Sequence, residues 1–169
     1  MKILNDIEYI LHNNFKCKKN YFEEEDAKML LPIKPEGCQF ILYKFDKNLG
    51  KEYKEGLFPF FAKNKDVCKI SDYILFAEKG GTLYILVIEM KRGDEQTLPQ
   101  LKAALAFTKY IVETVNRVKG ANYKPEIRLI SIHNYKIRKK KTKENGVKYN
   151  KFNHCDVTSA NFNVKLYLV

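Results

Sequence analysis

Long apolar runs are missing from this 169-residue sequence: none approaches the ~18 consecutive apolar residues that a membrane helix needs, so no membrane partner is expected. Cysteine is scarce and scattered. Cys17, Cys38, Cys68 and Cys155 form no C-x-x-C pair and follow no regular spacing, which argues against a zinc site or a disulfide framework and leaves free thiols, mostly buried. No internal repeat appears. Acidic residues are the minority, 20 against 31 lysines and arginines, and the net charge of +11 suits a polyanionic partner. The first turns carry Asp6 and Glu8, and the chain is read as cytoplasmic. What is present is a hydrophobic fraction of 45%, enough at this length for one domain, 1–169, around a single core.

The pattern is sharpest between Cys68 and Gly93. Two runs rich in β-branched and aromatic residues meet at Gly80-Gly81, a strong hairpin signal. With those glycines as the two loop residues, Lys79 faces Thr82, and the same ladder followed outward sets Asp72 opposite Glu89. Facing residues of an antiparallel pair share one side of the sheet, with Cβ atoms about 5 Å apart. Two carboxylates side by side repel, so the arrangement makes physical sense with a cation between them. Alternation puts Lys91 on the face of Glu89, and Leu86, Ile88 and Met90 on the other. The plainer alternative is a buried strand that meets water through Glu89 and Lys91.

Asp72 with Glu89-Met90-Lys91 resembles the signature of the PD-(D/E)xK nuclease superfamily, whose restriction-endonuclease-like fold has an Asp at the start of one strand and Glu-x-Lys at the end of the next. The resemblance covers residues 66–117, and Ser71 stands where the family carries its leading Pro. It implies an α/β fold, a mixed central β-sheet flanked by helices, and a metal ion, Mg²⁺ or Mn²⁺, held by Asp72, Glu89 and the backbone carbonyl of Met90. Lys91 would then act on the attacking water. In several branches an N-terminal helix adds a ligand, a part open here to Glu8 or His12; an exposed i,i+4 pair is the alternative for those two. Some branches carry Gln-x-x-x-Tyr on the helix after Glu-x-Lys, but Gln100 is followed at that offset by Ala104.

The remaining segments read more simply. Ile3, Ile7, Ile10 and Leu11 fit an amphipathic helix over residues 3–15. Residues 18–26, with the acidic run Glu23-Glu24-Glu25-Asp26, read as a solvated loop or helix start without chemistry. Residues 29–33, closed by Pro32 and Pro35, suggest a short edge segment, and residues 38–45 a strand. Phe58, Phe60 and Phe61 gather around Pro59 as a cap on the core, with one ring open to stack on a base. Thr97, Pro99 and Gln100 make a capping box for a helix that stops at Gly120, and Gln100 or Lys102 near its start could touch a phosphate. Residues 126–135 read as a central strand, and residues 162–169 as the closing segment of the sheet. Between these lie residues 136–151, with eight basic side chains and one acidic, +7 of the total +11. Asn145-Gly146 marks a hairpin there, so Arg138, Lys139, Lys140, Lys141 and Lys143 suit a basic ribbon along nucleic acid; a solvated loop is the alternative.

The expectation is a metal-dependent endonuclease acting on DNA in preference to RNA, with catalytic Asp72, Glu89 and Lys91, metal ligands Asp72, Glu89, Met90 and Glu8, and pairing of two copies as an option for cutting both strands. A nuclease of RNA and a non-catalytic basic binding module are the alternatives. Each phosphate contact contributes roughly one unit to the slope of log affinity against log salt. Replacing Lys139, Lys140 and Lys141 with Gln should therefore weaken binding to every sequence and flatten that slope by up to about three units. An unchanged slope in a salt titration would mean that the segment points away from the substrate.

Overall fold

A computed structural model describes residues 2–26, 28–46, 61, 67–93, 95–134 and 147–169. The basic segment with Arg138, Lys139, Lys140, Lys141 and Lys143 lies outside those residues, as do Phe58 and Phe60. In chain order the described elements are α1 (Lys2–Ile10), β1 (Tyr21–Glu24), β2 (Met29–Lys34), β3 (Gln39–Tyr43), β4 (Tyr73–Lys79), β5 (Thr82–Arg92), α2 (Leu98–Lys119), β6 (Glu126–Asn134), β7 (His154–Val157), β8 (Phe162–Asn163) and α3 (Val164–Tyr167).

The hairpin forms in the expected register, with Lys79 opposite Thr82 and Tyr73 opposite Ile88. Gly80 and Gly81 take φ of +59° and +79°, which a two-residue turn of this twist requires and a β-carbon would oppose. β3 joins β4 antiparallel, while β6 and β7 add to β5 in parallel, giving a sheet of order β3-β4-β5-β6-β7. A parallel return needs a crossover, and α2 supplies it between β5 and β6. That helix closes at Gly120, in the left-handed conformation with φ +58°.

Strand alternation separates two cores. Ile74, Phe76, Ile85, Val87 and Leu129 point to α1 and α2, where they meet Leu4, Ile7, Leu101, Ile111, Val112 and Val115. Leu75, Leu86, Ile88, Met90, Ile130 and Ile132 point the other way. There they meet Phe22, Leu31 and Ile33, together with Phe162, Val164 and Tyr167 near the C-terminal end. The α/β class holds, but the flanking is asymmetric: α1 and α2 cover one face, and a small sheet of order β1-β2-β8 with α3 covers the other. No helix among the described residues is long and apolar enough to cross a membrane.

Several local expectations need correction. Residues 18–26 are not a solvated loop: β1 forms because Phe22 is wholly buried among Tyr73 and Phe162. β2 is no edge but the middle of the small sheet, with β1 antiparallel on one side and β8 parallel on the other. Its ladder to β8 begins at Ile33, just beyond Pro32, so the missing proline N–H costs that ladder nothing. Residues 162–169 close this small sheet rather than the main one. The first helix stops at Ile10, and His12 caps a separate short 3-10 turn at Asn13–Phe15, since two asparagines in succession favour turns over helix. The cysteines are all free, but of the four only Cys155 is buried.

Phe162 stacks on Tyr167 at 4.2 Å, meets the edge of Phe22 at 5.1 Å and has no exposed surface. Phe162→Ala should cost about 3–5 kcal/mol, read as a lower urea midpoint with an unchanged slope. A loss below ~1 kcal/mol would mean that the small sheet contributes little to the fold.

Candidate metal centre

The site grows out of the open end of the hairpin. β5 runs four residues beyond the last facing pair, Tyr73 and Ile88, and carries Glu89 and Lys91 on the helix-facing side. At that end the carboxylates replace the ladder's backbone bonds. The Asp72 N–H donates to Glu89 Oε2 at 3.2 Å, and the Met90 N–H donates to Asp72 Oδ2 at 2.6 Å. Lys91 Nζ reaches Glu89 Oε1 at 3.1 Å. The three residues singled out from sequence thus converge, with Glu89 only 2% exposed.

Beside them opens a cavity of about 430 Å³ lined by Asp72, Met90, Lys91 and Arg92 of the hairpin, by Glu24 and Asp26 at the end of β1, by Asp46 beyond β3, and by Glu95. Carboxylate oxygens of Glu24, Asp46 and Asp72 all lie within 4.8 Å of one another. The sequence reading left Glu24 and Asp46 out. Glu24 looked like one more member of a solvated acidic run, and Asp46 has no neighbour in sequence that marks it. Only the pairing of β1 in a separate sheet brings Glu24 over the end of β4. Tyr73 makes that join: its hydroxyl accepts from the Glu23 N–H and donates to the Glu23 carbonyl, both at 2.9 Å. Lys44 Nζ sits 4.0 Å from Glu24 Oε2 and 3.9 Å from Asp46 Oδ2.

The other expected site residues lie elsewhere. Glu8 pairs with Lys16 and lines a separate cavity along β3 that also takes in Cys17 and Cys38, so it is not a member of the acidic pocket. His12 is exposed and spends its Nδ1 on the Asn14 N–H. Gln100 completes no capping box; its Oε1 is buried without a hydrogen-bond partner among the described residues. The Thr97 hydroxyl, expected to cap α2, meets Ser131 Oγ at 2.5 Å instead. Lys102 is exposed, and neither it nor Gln100 lines the pocket.

The polar face also extends further than expected. Ser131 stands beside Glu89 and Asp156 beside Ser131, in register across β5, β6 and β7, while His133 stands beside Lys91. Ser131 Oγ lies 2.7 Å from His154 Nε2; His133 sets Nδ1 against the Gly93 carbonyl at 2.8 Å and Nε2 against Asp156 at 3.0 Å. One signal for this row was available: Ser131-Ile132-His133 repeats the alternation of Glu89-Met90-Lys91.

Electrostatics matches a cation site. Burial, then the neighbouring Glu89, pushes the Asp72 carboxyl up to about 8, against the Met90 N–H that favours its charged form. Burial also raises Glu89, although the Lys91 ion pair opposes it. Burial works against the Lys91 ammonium, but Glu89, Asp72 and Glu95 outweigh it and carry its pKa up. The same holds for Lys44, where Asp46, Tyr73, Glu24 and Asp72 outweigh burial. Carboxylate oxygens crowded until one retains a proton are hard donors suited to Mg²⁺ or Mn²⁺, and an ion entering there would displace that proton.

Folded Asp72 keeps its proton up to about pH 8, whereas the unfolded chain loses it near ~4. Across that window the folded state binds more protons, so the metal-free protein should lose stability as pH rises, by up to about 1.4 kcal/mol per unit. In EDTA, the wild-type melting temperature should fall from pH 5 to pH 8, and Asp72→Asn should flatten the fall. A variant curve parallel to wild type would place the titration on another group.

No family model matches the chain, and neither does any curated protein or solved structure. The case for the site therefore rests on its own chemistry, two opposed carboxylates and a lysine beside a pocket of further carboxylates.

Proposed function

We propose that this chain is a metal-dependent nuclease that hydrolyses phosphodiester bonds in DNA, with a restriction-endonuclease-like fold. The observation that carries the reading is the convergence of Asp72, Glu89 and Lys91 at one end of the β4–β5 hairpin, where Asp72 and Lys91 line the acidic cavity and Glu89 is buried behind them. An Asp just ahead of β4, Glu-x-Lys near the end of β5 and the helix α2 immediately after support the family resemblance. The strong positive charge supports a polyanionic substrate.

Hydrolysis needs a water in line with the leaving oxygen and relief for the charge that builds on the phosphorus centre. A bound Mg²⁺ supplies polarisation of the phosphoryl oxygen and a more acidic water. Asp72, Glu89 and the Met90 carbonyl are the residues that would hold it, and Glu24 and Asp46, paired with Lys44, line the same cavity. Glu89 fixes Lys91 by their ion pair, so the amine is presented at the cavity wall rather than free to swing. Because its pKa is raised, Lys91 works as an ammonium, orienting the water and offsetting charge in the transition state rather than accepting a proton.

Incubation with Mg²⁺ and single- and double-stranded DNA and RNA tests the reading directly. Cleavage is expected on DNA, and Lys91→Ala should lower its rate by about 10²-fold or more with little change in nucleic-acid affinity, and with a lower melting temperature because buried Glu89 loses its ion-pair partner. Wild-type turnover in that variant would overturn the assignment of Lys91. Binding without cleavage of any substrate would leave the basic module as the better description.

A further inference from the structure

Glu24, Asp46 and Asp72 cluster in the pocket, Asp26 and Glu95 add carboxylates to its lining, and Lys91 beside them is ion-paired to buried Glu89. Lys44 stands among the rest in a seat built for an ammonium. Its Nζ lies within ion-pair distance of Glu24 and Asp46, donates to the Glu23 carbonyl at 3.3 Å, and sits 5.1 Å over the centre of the Tyr73 ring. Tyr73 itself is clamped to Glu23 by two hydrogen bonds, which holds that side of the seat. A cation is therefore already placed against the outer carboxylates.

We propose that Lys44 is the resident counter-ion of the outer half of this pocket. It occupies Glu24 and Asp46, confines a divalent ion to the Asp72 and Glu89 side, and weakens the pocket's affinity for that ion. The proposal rests on the nuclease reading of the site. Lys44 is one positive charge set against Glu24 and Asp46, whose carboxylate oxygens lie within 4.8 Å of those of Asp72, so it competes with any ion that Asp72 would share with them. Without Lys44 the pocket is more negative by one unit, and Glu24 and Asp46 lose that competing cation. A unit charge a few ångströms from a divalent ion is worth about tenfold in binding even at the dielectric constant of water.

Calorimetric titration of Mn²⁺ into the full chain at low salt separates the outcomes, using Lys44→Met and Lys44→Gln as neutral variants and Lys44→Arg to retain the charge. Both neutral variants should bind Mn²⁺ about tenfold tighter than wild type or take up a second ion, and Lys44→Arg should stay near wild type. Unchanged or weaker binding in the neutral variants overturns the proposal, and if wild type still binds Mn²⁺ and cleaves, the nuclease reading survives that failure. Loss of cooperative melting in both neutral variants would make Lys44 a structural tie and likewise overturn it. Mn²⁺ binding to neither wild type nor the neutral variants would remove both readings together, whereas a neutral variant that binds where wild type does not supports the competition.

Discussion

Everything at the acidic end of this molecule depends on a single exchange: where the β4–β5 ladder should end in backbone hydrogen bonds, it ends in carboxylates. Asp72 accepts from the Met90 amide and Glu89 from the Asp72 amide, each closing the strand across from it. The bonds draw two like charges into a partly buried space where neither is comfortable when ionised. That discomfort is local, but it orders the surroundings, since each group able to relieve it is held nearby. Lys91 pairs with Glu89, Lys44 with Glu24 and Asp46, and five carboxylates line the cavity beside them.

The rest of the fold makes the exchange affordable. With α1 and α2 on one face of the main sheet and the β1-β2-β8 sheet on the other, the strands between are buried on both sides. Ile74, Leu75, Phe76, Ile85, Leu86, Val87 and Ile88 have no exposed surface at all. This apolar body tolerates a polar rung at one end, where Glu89 and Ser131 are buried but bonded. The rung runs across strands far apart in the chain.

Legibility in the sequence followed the range of the interactions. The hairpin was readable because a Gly-Gly turn and two apolar runs determine a register without outside help, and that register carried the reading to Asp72 opposite Glu89. α2 was readable from its apolar spacing and from Gly120, though not the use of Thr97, whose hydroxyl answers to Ser131 thirty-four positions away. The small sheet was not readable. β1 owes its existence to Phe22 buried against Tyr73 and Phe162, partners about fifty and a hundred and forty positions distant, while its own residues look like a solvated acidic run. Glu24 and Asp46 were missed for that reason, and Glu8 entered the expected ligands through the family resemblance, whereas its ion pair with Lys16 leaves no mark in the sequence. β7, four residues with an exposed Asp156 in the middle, has too little alternation to announce itself.

One hydroxyl gives this arrangement a mechanical character. Tyr73 belongs to β4, one residue from Asp72, and grips both the amide and the carbonyl of Glu23, one residue from Glu24. The two carboxylates are thus mounted on separate sheets but coupled through one aromatic ring, which acts as a rigid strut between them. The width of the pocket is set by the length of that strut, and any sliding of the small sheet over the large one would be felt first as a change in the gap between Glu24 and Asp72.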